Sequence, residues 1–499
     1  MSTQTAQPAA QTAANATRAR IRRDTAPLWV AAALLLVLPF FMAFRSGGFG
    51  SKTQLIGAAV ALALLGLVAL TARWPLVPGG WPLAGAAGLT GLAVWTGLSI
   101  GWASNLDRAV KDTGRLALYA AAFALALVVM REPAIRRLAP AALLAGIAAV
   151  CLYALGGRLL PDLVNTPPNA AGRLSHPLTY WNSMGMFAGF GVLLGTAVAG
   201  DASRRLAWRA LACAAIVPCG LACFLALSRG AILAVAAGLV LCVVLRPARG
   251  ALVAAVCGLT ATGVLALLLL AFPAVLSLDR GRSEQAHQGA LFLPLGLAAA
   301  AAAGFAFWRL VRPRLERDEL ALPAGVRRAL AIATVPVVLA AVAIVSGAAT
   351  EKVHVSETAS RIGSIKTNRG HYWRVALDAF ARHPLDGIGS SSFGAEWERE
   401  RGRERAALDA HSLYLETLCE LGLVGALLLM LFVGSLVRGV VSAARAGPGD
   451  TVLAAGAAVL GALAIHLAVD WDWEMPAVVL PALILAAAVV QPPAGRAAA

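Results

Sequence analysis

The chain has 499 residues, of which 59% are hydrophobic and only 14% charged, and its net charge is +16. Soluble domains carry roughly 45–50% apolar and 25% charged residues, so this composition excludes a water-soluble multidomain enzyme, a disordered chain and a nucleic-acid binder. The basic excess instead reads as cytoplasmic loops facing anionic lipid.

Residues 1–26 are rich in Ala, Thr and Gln and end in Arg18, Arg20, Arg22 and Arg23. The apolar run behind them is about 20 residues long, too long for a signal-peptide core, and lacks a small-residue cleavage site. The expectation is a disordered cytoplasmic tail followed by a signal anchor. A hydrocarbon core of ~30 Å needs about 20 apolar residues of helix, and the runs here are continuous, not alternating, so they predict helices. Fourteen spans are expected, near 27–45, 54–72, 81–102, 114–130, 138–157, 180–199, 207–226, 230–245, 250–272, 290–311, 328–348, 420–438, 452–469 and 476–491.

Orientation follows from the basic residues. With the N-terminus inside, 22 of the 42 Lys and Arg fall in cytoplasmic segments, including Arg131, Arg136, Arg137, Arg204, Arg205 and Arg209. The other 20 lie outside, but ten of those are in one long loop, 349–412, and long loops cross largely regardless of charge. Both termini are therefore expected in the cytoplasm. The fold class is an all-α, polytopic membrane protein of 12–14 spans. Its parts are a tail (1–26), helices 1–11 (27–348), an extracytoplasmic loop (349–412), helices 12–14 (413–491) and a second tail (492–499).

A loop this long usually has a function. It contains a turn segment, His383-Pro384-Leu385-Asp386-Gly387-Ile388-Gly389, and then a charge run from Glu396 to Arg405 that reads as a solvated helix with Glu/Arg pairs three apart. The seven cysteines lie in or beside apolar runs without metal-ligand spacing and read as small hydrophobes.

Polar residues that lipid would punish mark the chemistry. Arg229 sits in a very short connection, Arg369 in the long loop, and His411 closes that loop before the chain re-enters the bilayer. The topology places all three on one face. Each has a bland account: headgroup snorkelling, a salt bridge within the loop, or a helix cap. Their coincidence favours function without naming the reaction.

Three stretches resemble the O-antigen ligase and polymerase superfamily, which also includes bacterial protein O-oligosaccharyltransferases. His411-Ser412, nine residues, then Gly422-Leu423-Val424-Gly425 fits that family's His-[Asn/Ser/Gln]-x9-Gly-x-x-Gly pattern. Arg369, Trp373 and the His383–Gly389 turn with Phe393 resemble its Arg…Trp…Pro-x-x-Gly-x-Gly…Phe signature, and Ser228-Arg229-Gly230-Ala231 stands at a helix junction. Arg173 and Asn182 are weaker echoes. Ala426 departs from the Thr or Tyr frequent in ligases and oligosaccharyltransferases.

The resemblance implies a membrane glycosyltransferase of GT-C type in the cytoplasmic membrane, its site facing outward. It would move a glycan from polyprenyl diphosphate to a hydroxyl acceptor on a glycolipid, a polysaccharide or a protein, with membrane lipids as further partners and no nucleic acid or cofactor. Arg229 and Arg369 would grip the departing diphosphate and His411 would take the acceptor proton. Arg173, Asn182, Trp373 and His383 are candidate substrate contacts. No metal is assigned. Asp470-Trp471-Asp472 could hold a divalent ion, but it also reads as an interfacial turn with Trp471 and Trp473 in the aromatic belt and His466 packed on Asp470. A polymerase of the same superfamily is the nearest alternative. A flippase or other transporter would be expected to show repeats and interrupted helices near the midplane.

Overall fold

The structure is a computed structural model, and it describes residues 26–71, 79–167, 172–245, 248–277, 281–315, 325, 369–401, 406–447 and 450–491. The expected tails, the span near 328–348 and the first part of the long loop lie outside those residues.

Backbone groups in hydrocarbon must be satisfied within their own segment, so each continuous apolar run becomes a helix. They are α1 (Ala26–Ala43), α2 (Ser51–Thr71), α3 (Trp81–Leu98), α4 (Leu106–Val129), α5 (Pro133–Leu159), α6 (Trp181–Ala199), α7 (Leu206–Leu225), α8 (Arg229–Leu245) and α9 (Arg249–Leu268). A short α10 (Pro273–Ser277) precedes α11 (Arg282–Leu315). The loop contributes α12 (Arg369–Arg382) and α13 (Phe393–Glu400), and the chain closes with α14 (Leu413–Ala446), α15 (Thr451–Leu467) and α16 (Pro476–Val490). Among the described residues, ten of these are long and apolar enough to cross a membrane, and α8, α15 and α16 are shorter apolar helices. The protein is an all-α, multi-pass membrane protein.

Burial separates inner from outer helices. A helix apolar on every side is either buried in a bundle or faces lipid, and burial decides which. Every residue of α16 and nearly every residue of α6 is buried, whereas α2, α9 and α11 leave most of their surface outward. The two innermost helices matter because Asn182 opens into α6 and Asp470 to Glu474 lead into α16. The N-terminal ends of the central helices thus bring polar groups to one end of the bundle axis.

That end is tied together by buried ion pairs. Arg115, more than two turns inside α4, donates to Asp112 at 2.8 Å and also pairs with Glu474 ahead of α16. Arg158 at the end of α5 donates to the carbonyls of Val275 (2.6 Å), Gly172 (2.6 Å) and Leu276 (2.7 Å), which pins the connection into α6 against α10. The opposite end gathers basic residues on which the expected orientation rests: Arg204 donates to the Arg137 carbonyl at 2.6 Å, and Arg136 pairs with Asp450 at 3.0 Å. All seven cysteines are free and six are buried, as small hydrophobes would be.

The loop segment docks through two interlocked turns. Within α14 the helix breaks at Gly422 (φ 62, ψ −160), a backbone region open essentially to glycine alone. Freed backbone groups on either side pair with the His383–Gly389 turn: Ile388 N–H donates to Cys419 O at 3.0 Å, Gly389 N–H to Glu420 O at 2.9 Å, and Leu423 N–H to Pro384 O at 2.8 Å. The Trp95 indole donates to Leu421 O at 3.0 Å. A Cβ on Gly422 would collide with the Leu385 carbonyl, and one on Gly387 with the backbone of Glu420. Gly387 and Gly422, one from each motif, therefore serve the join. Gly422→Val should destabilise this join by about 1–3 kcal/mol or more, read as a lower thermal midpoint in detergent, while Gly434→Ala, in open space, should leave the midpoint unchanged.

The first part of the charge run, Glu396–Glu400, lies in the short helix α13. Glu396 pairs with Arg399 and Glu398 with Arg401, each at 2.6 Å and three residues apart. Its buried face is aromatic: Trp397 and Phe393 are fully buried and meet Tyr372 of α12 at 4.5 and 6.3 Å between ring centroids.

Candidate active site

Asp470 is the hub of the polar end. The turn between α15 and α16 holds it 1% exposed, and its two oxygens are shared among donors from two other segments. Arg369, the first residue of α12, donates to Oδ2 at 2.8 Å, and Asn182 donates to the same oxygen at 2.6 Å. The Tyr180 hydroxyl donates to Oδ1 at 2.8 Å and accepts from Asn182 at 2.7 Å. Burial would push this carboxyl up, but Arg369, His466 and His411 together hold it below the usual carboxylate range. The site therefore contains a buried, ionised carboxylate surrounded by an excess of cations.

The cations converge from distant parts of the chain. Arg173, ahead of α6, donates through Nε to Ala226 O at 3.1 Å and through Nη2 to Leu227 O. Its pKa is lowered, first by burial and further by the guanidiniums of Arg229 and Arg369, against the opposing pull of Tyr180 and Asp470. Arg229 and Arg369 thus sit close enough to act on the Arg173 charge. Arg229 opens α8. A cation there opposes the positive pole of the macrodipole, so the position does not suit a charge placed for helix stability, but it does suit an anion drawn to a helix N-terminus. Ser228 caps α8 by accepting from Ala231 N–H at 3.3 Å, which fixes the turn carrying Arg229.

His411 stands at the edge of this group. Its backbone φ is +55, uncommon for a residue with a side chain. Nδ1 lies 3.0 Å from the Asp409 carbonyl oxygen. A carbonyl can only accept, so this contact puts a proton on Nδ1, and in the neutral ring it is Nε2 that carries the lone pair. Tyr372 packs beside the imidazole at 5.4 Å between centroids. Beneath it, burial raises the Asp409 carboxyl above its ordinary value, while Glu416 accepts from Ala410 N–H at 2.9 Å. The loop is held from below by groups that do not consume Nε2.

The structure brings Arg173, Asn182, Arg229, Arg369 and His411 into one neighbourhood around Asp470. Trp373, one turn along α12, has an indole N–H that is buried without a partner. His383 is a correction. It is exposed beyond the far end of α12, about 20 Å along the helix from Arg369 at 1.5 Å per residue, and is not brought to the cluster. Its backbone serves the turn instead, accepting from Gly387 N–H at 3.1 Å.

Two readings of the Asp470–Glu474 turn also change. His466 pairs through Nδ1 with Asp472 at 2.5 Å, not with Asp470, and Ser183 donates to the other Asp472 oxygen at 2.5 Å. Trp473 is 8% exposed and packs on Tyr119 at 5.1 Å, so it belongs to the interior and not to an aromatic belt. The two aspartates of the Asp-x-Asp motif take separate sets of protein donors. Tyr180 was not legible as a site residue; its one signal is the polar Tyr180-Trp181-Asn182 run at the mouth of an otherwise apolar span.

Residues 295–430 match the family model described as O-antigen ligase. This stretch of the chain is similar to that family, which supports the superfamily its motifs resemble. The matched stretch includes Arg369, Trp373, His411 and the Gly422–Gly425 pair, whereas Arg173, Asn182, Arg229 and Asp470 lie outside it and join through the fold. No curated protein matches the chain.

Proposed function

We propose that the chain is an O-antigen ligase-like glycosyltransferase that moves a glycan from polyprenyl diphosphate to a hydroxyl acceptor at the outer face of the cytoplasmic membrane. The observation that carries this reading is the gathering of Arg173, Arg229 and Arg369 around Asp470 with the free Nε2 of His411 beside them. The outward orientation is supported by the basic cluster of Arg136, Arg137 and Arg204 at the opposite end.

The residue types suit the reaction. As the bond between the anomeric carbon and the phosphate oxygen breaks, negative charge builds on the diphosphate. Guanidinium forks grip phosphate oxygens and stay charged, and preorganised at a low-dielectric mouth they stabilise that charge as it develops. The acceptor oxygen forms its new bond to the anomeric carbon from the opposite side while its proton passes to Nε2 of His411. The products are an inverted glycoside and free polyprenyl diphosphate. The cations needed for the leaving group are supplied by the chain, so no step calls on a divalent ion.

The test is deletion of the gene followed by mass analysis of lipid-linked glycans. Full-length glycan held on polyprenyl diphosphate is the expected result, and single repeat units would assign the polymerase activity instead. An unchanged lipid-linked pool would overturn both.

A further inference from the structure

The two aspartates of the turn ahead of α16 are served by neighbouring residues of α6: Asn182 donates to Asp470 at 2.6 Å and Ser183 to Asp472 at 2.5 Å. Each aspartate also holds a basic side chain from another element. Asp470 takes Arg369 of α12 at 2.8 Å, and Asp472 takes Nδ1 of His466, in the last turn of α15, at 2.5 Å. The first arm ends in the arginine cluster. The second is enclosed, with Asp472, Ser183 and His466 all 0% exposed.

On its far side the imidazole meets the start of α8. A Cβ on Gly230 would stand 3.2 Å from both Cδ2 and Nε2 of His466, so the ring packs against the residue next to Arg229. The same turn is confined from α6, where a Cβ on Gly185 would come within 3.2–3.3 Å of Ser228, Ala226 and Ala231. Close packing leaves such a turn little room to move, so the walls it rests on set where the Arg229 guanidinium is presented. Packing alone does not account for a histidine in one of those walls. Nε2 is buried with no hydrogen-bond partner among the described residues, a desolvation cost that an apolar side chain of similar size would avoid. What an apolar side chain could not supply is the Nδ1–H that fastens the ring to Asp472.

We propose that Asp472 and His466 are the positioning arm of Arg229: Asp472 fixes the imidazole, and the imidazole supports the α8 turn from which Arg229 meets the diphosphate. The Asp470-Trp471-Asp472 motif is then a two-armed support, Asp470 acting on Arg369 directly and Asp472 on Arg229 through His466. This rests on the lipid-diphosphate reading above and adds what holds Arg229 in register. His466 is a positioning residue and does not itself touch the donor.

The test measures binding of polyprenyl diphosphate to the purified full chain. His466→Ala should weaken it by about tenfold, a size common for residues in contact. The loss should add nothing to that of Arg229→Ala, whereas with Arg369→Ala the two losses should multiply. His466→Phe, which keeps the bulk but not the Nδ1–H, should lose as much as His466→Ala. Gly230→Ala leaves every polar group in place and presses on the ring from the other side. It should repeat the loss, and again add nothing to Arg229→Ala, even where His466→Ala folds poorly. Full affinity in His466→Ala or His466→Phe, or a loss that multiplies with Arg229→Ala and merges with Arg369→Ala, would overturn the arm. A wild type that does not bind polyprenyl diphosphate would remove the lipid-diphosphate reading itself and the arm with it.

Discussion

Replacing His411 by alanine should lower glycan transfer by about 10²–10⁴-fold, the range lost when a positioned acid–base group is removed, while donor binding stays close to wild type. The reason lies in the tautomer. Nδ1–H is committed to the Asp409 carbonyl at 3.0 Å, and Tyr372 supports the ring, so Nε2 is held as a proton acceptor. Alanine removes the acceptor and leaves the arginine cluster intact. Turnover and affinity should therefore separate, with kcat falling and the donor Kd preserved. Transfer within about tenfold of wild type would show that the acceptor proton leaves by another route.

Arg369→Ala should act differently, reducing turnover by about 10²–10³-fold and weakening donor binding as well. Two effects combine at this position. The variant loses a guanidinium from the diphosphate cradle, and it strips Asp470 of its 2.8 Å ion-pair partner, leaving a buried carboxylate facing the anionic donor. An uncompensated buried charge is costly in its own right. Adding Asp470→Asn to Arg369→Ala should therefore restore part of the lost binding, a non-additive outcome of the kind expected for residues in contact. Arg369→Lys should recover little, because a compact ammonium cannot keep Asp470 and grip a phosphate with one planar fork. Strict additivity of the two single changes would indicate that Asp470 and Arg369 act independently.

Much of the fold was legible because lipid leaves the backbone so few choices. Each apolar run within the described residues became a helix, and the departures fall where charges enter a span. The helix expected near 114–130 begins at Leu106, because Asp112 and Arg115 pair within the protein in place of facing solvent. The helix expected near 420–438 begins at Leu413. Its first turns carry Glu416 and Glu420, which are spent on the N–H groups of Ala410, Ser391 and Phe393, and the break at Gly422 divides it. Burial by a docked loop cannot be read from a local window.

The site was legible to the extent that its members stand out in their own segments. Arg229, Arg369 and His411 are conspicuous beside apolar spans, and the fold brings them together. His383 stood in the same signature as Arg369 but belongs to a turn whose purpose is docking. Asp470 and Tyr180 were harder, since an aspartate pair in a turn looks the same on paper whether it faces an ion or an arginine from a hundred residues away. Only the three-dimensional partners distinguish the two.

The most direct measurement is on purified protein in lipid nanodiscs, supplied with the lipid-linked glycan from the deletion strain and the envelope fraction that receives it, with products followed by mass spectrometry. Release of free polyprenyl diphosphate together with a glycan newly joined to a hydroxyl, in inverted configuration, is the predicted result. Intact donor after prolonged incubation, or donor merely carried across the bilayer with its anomeric bond unbroken, would contradict the account.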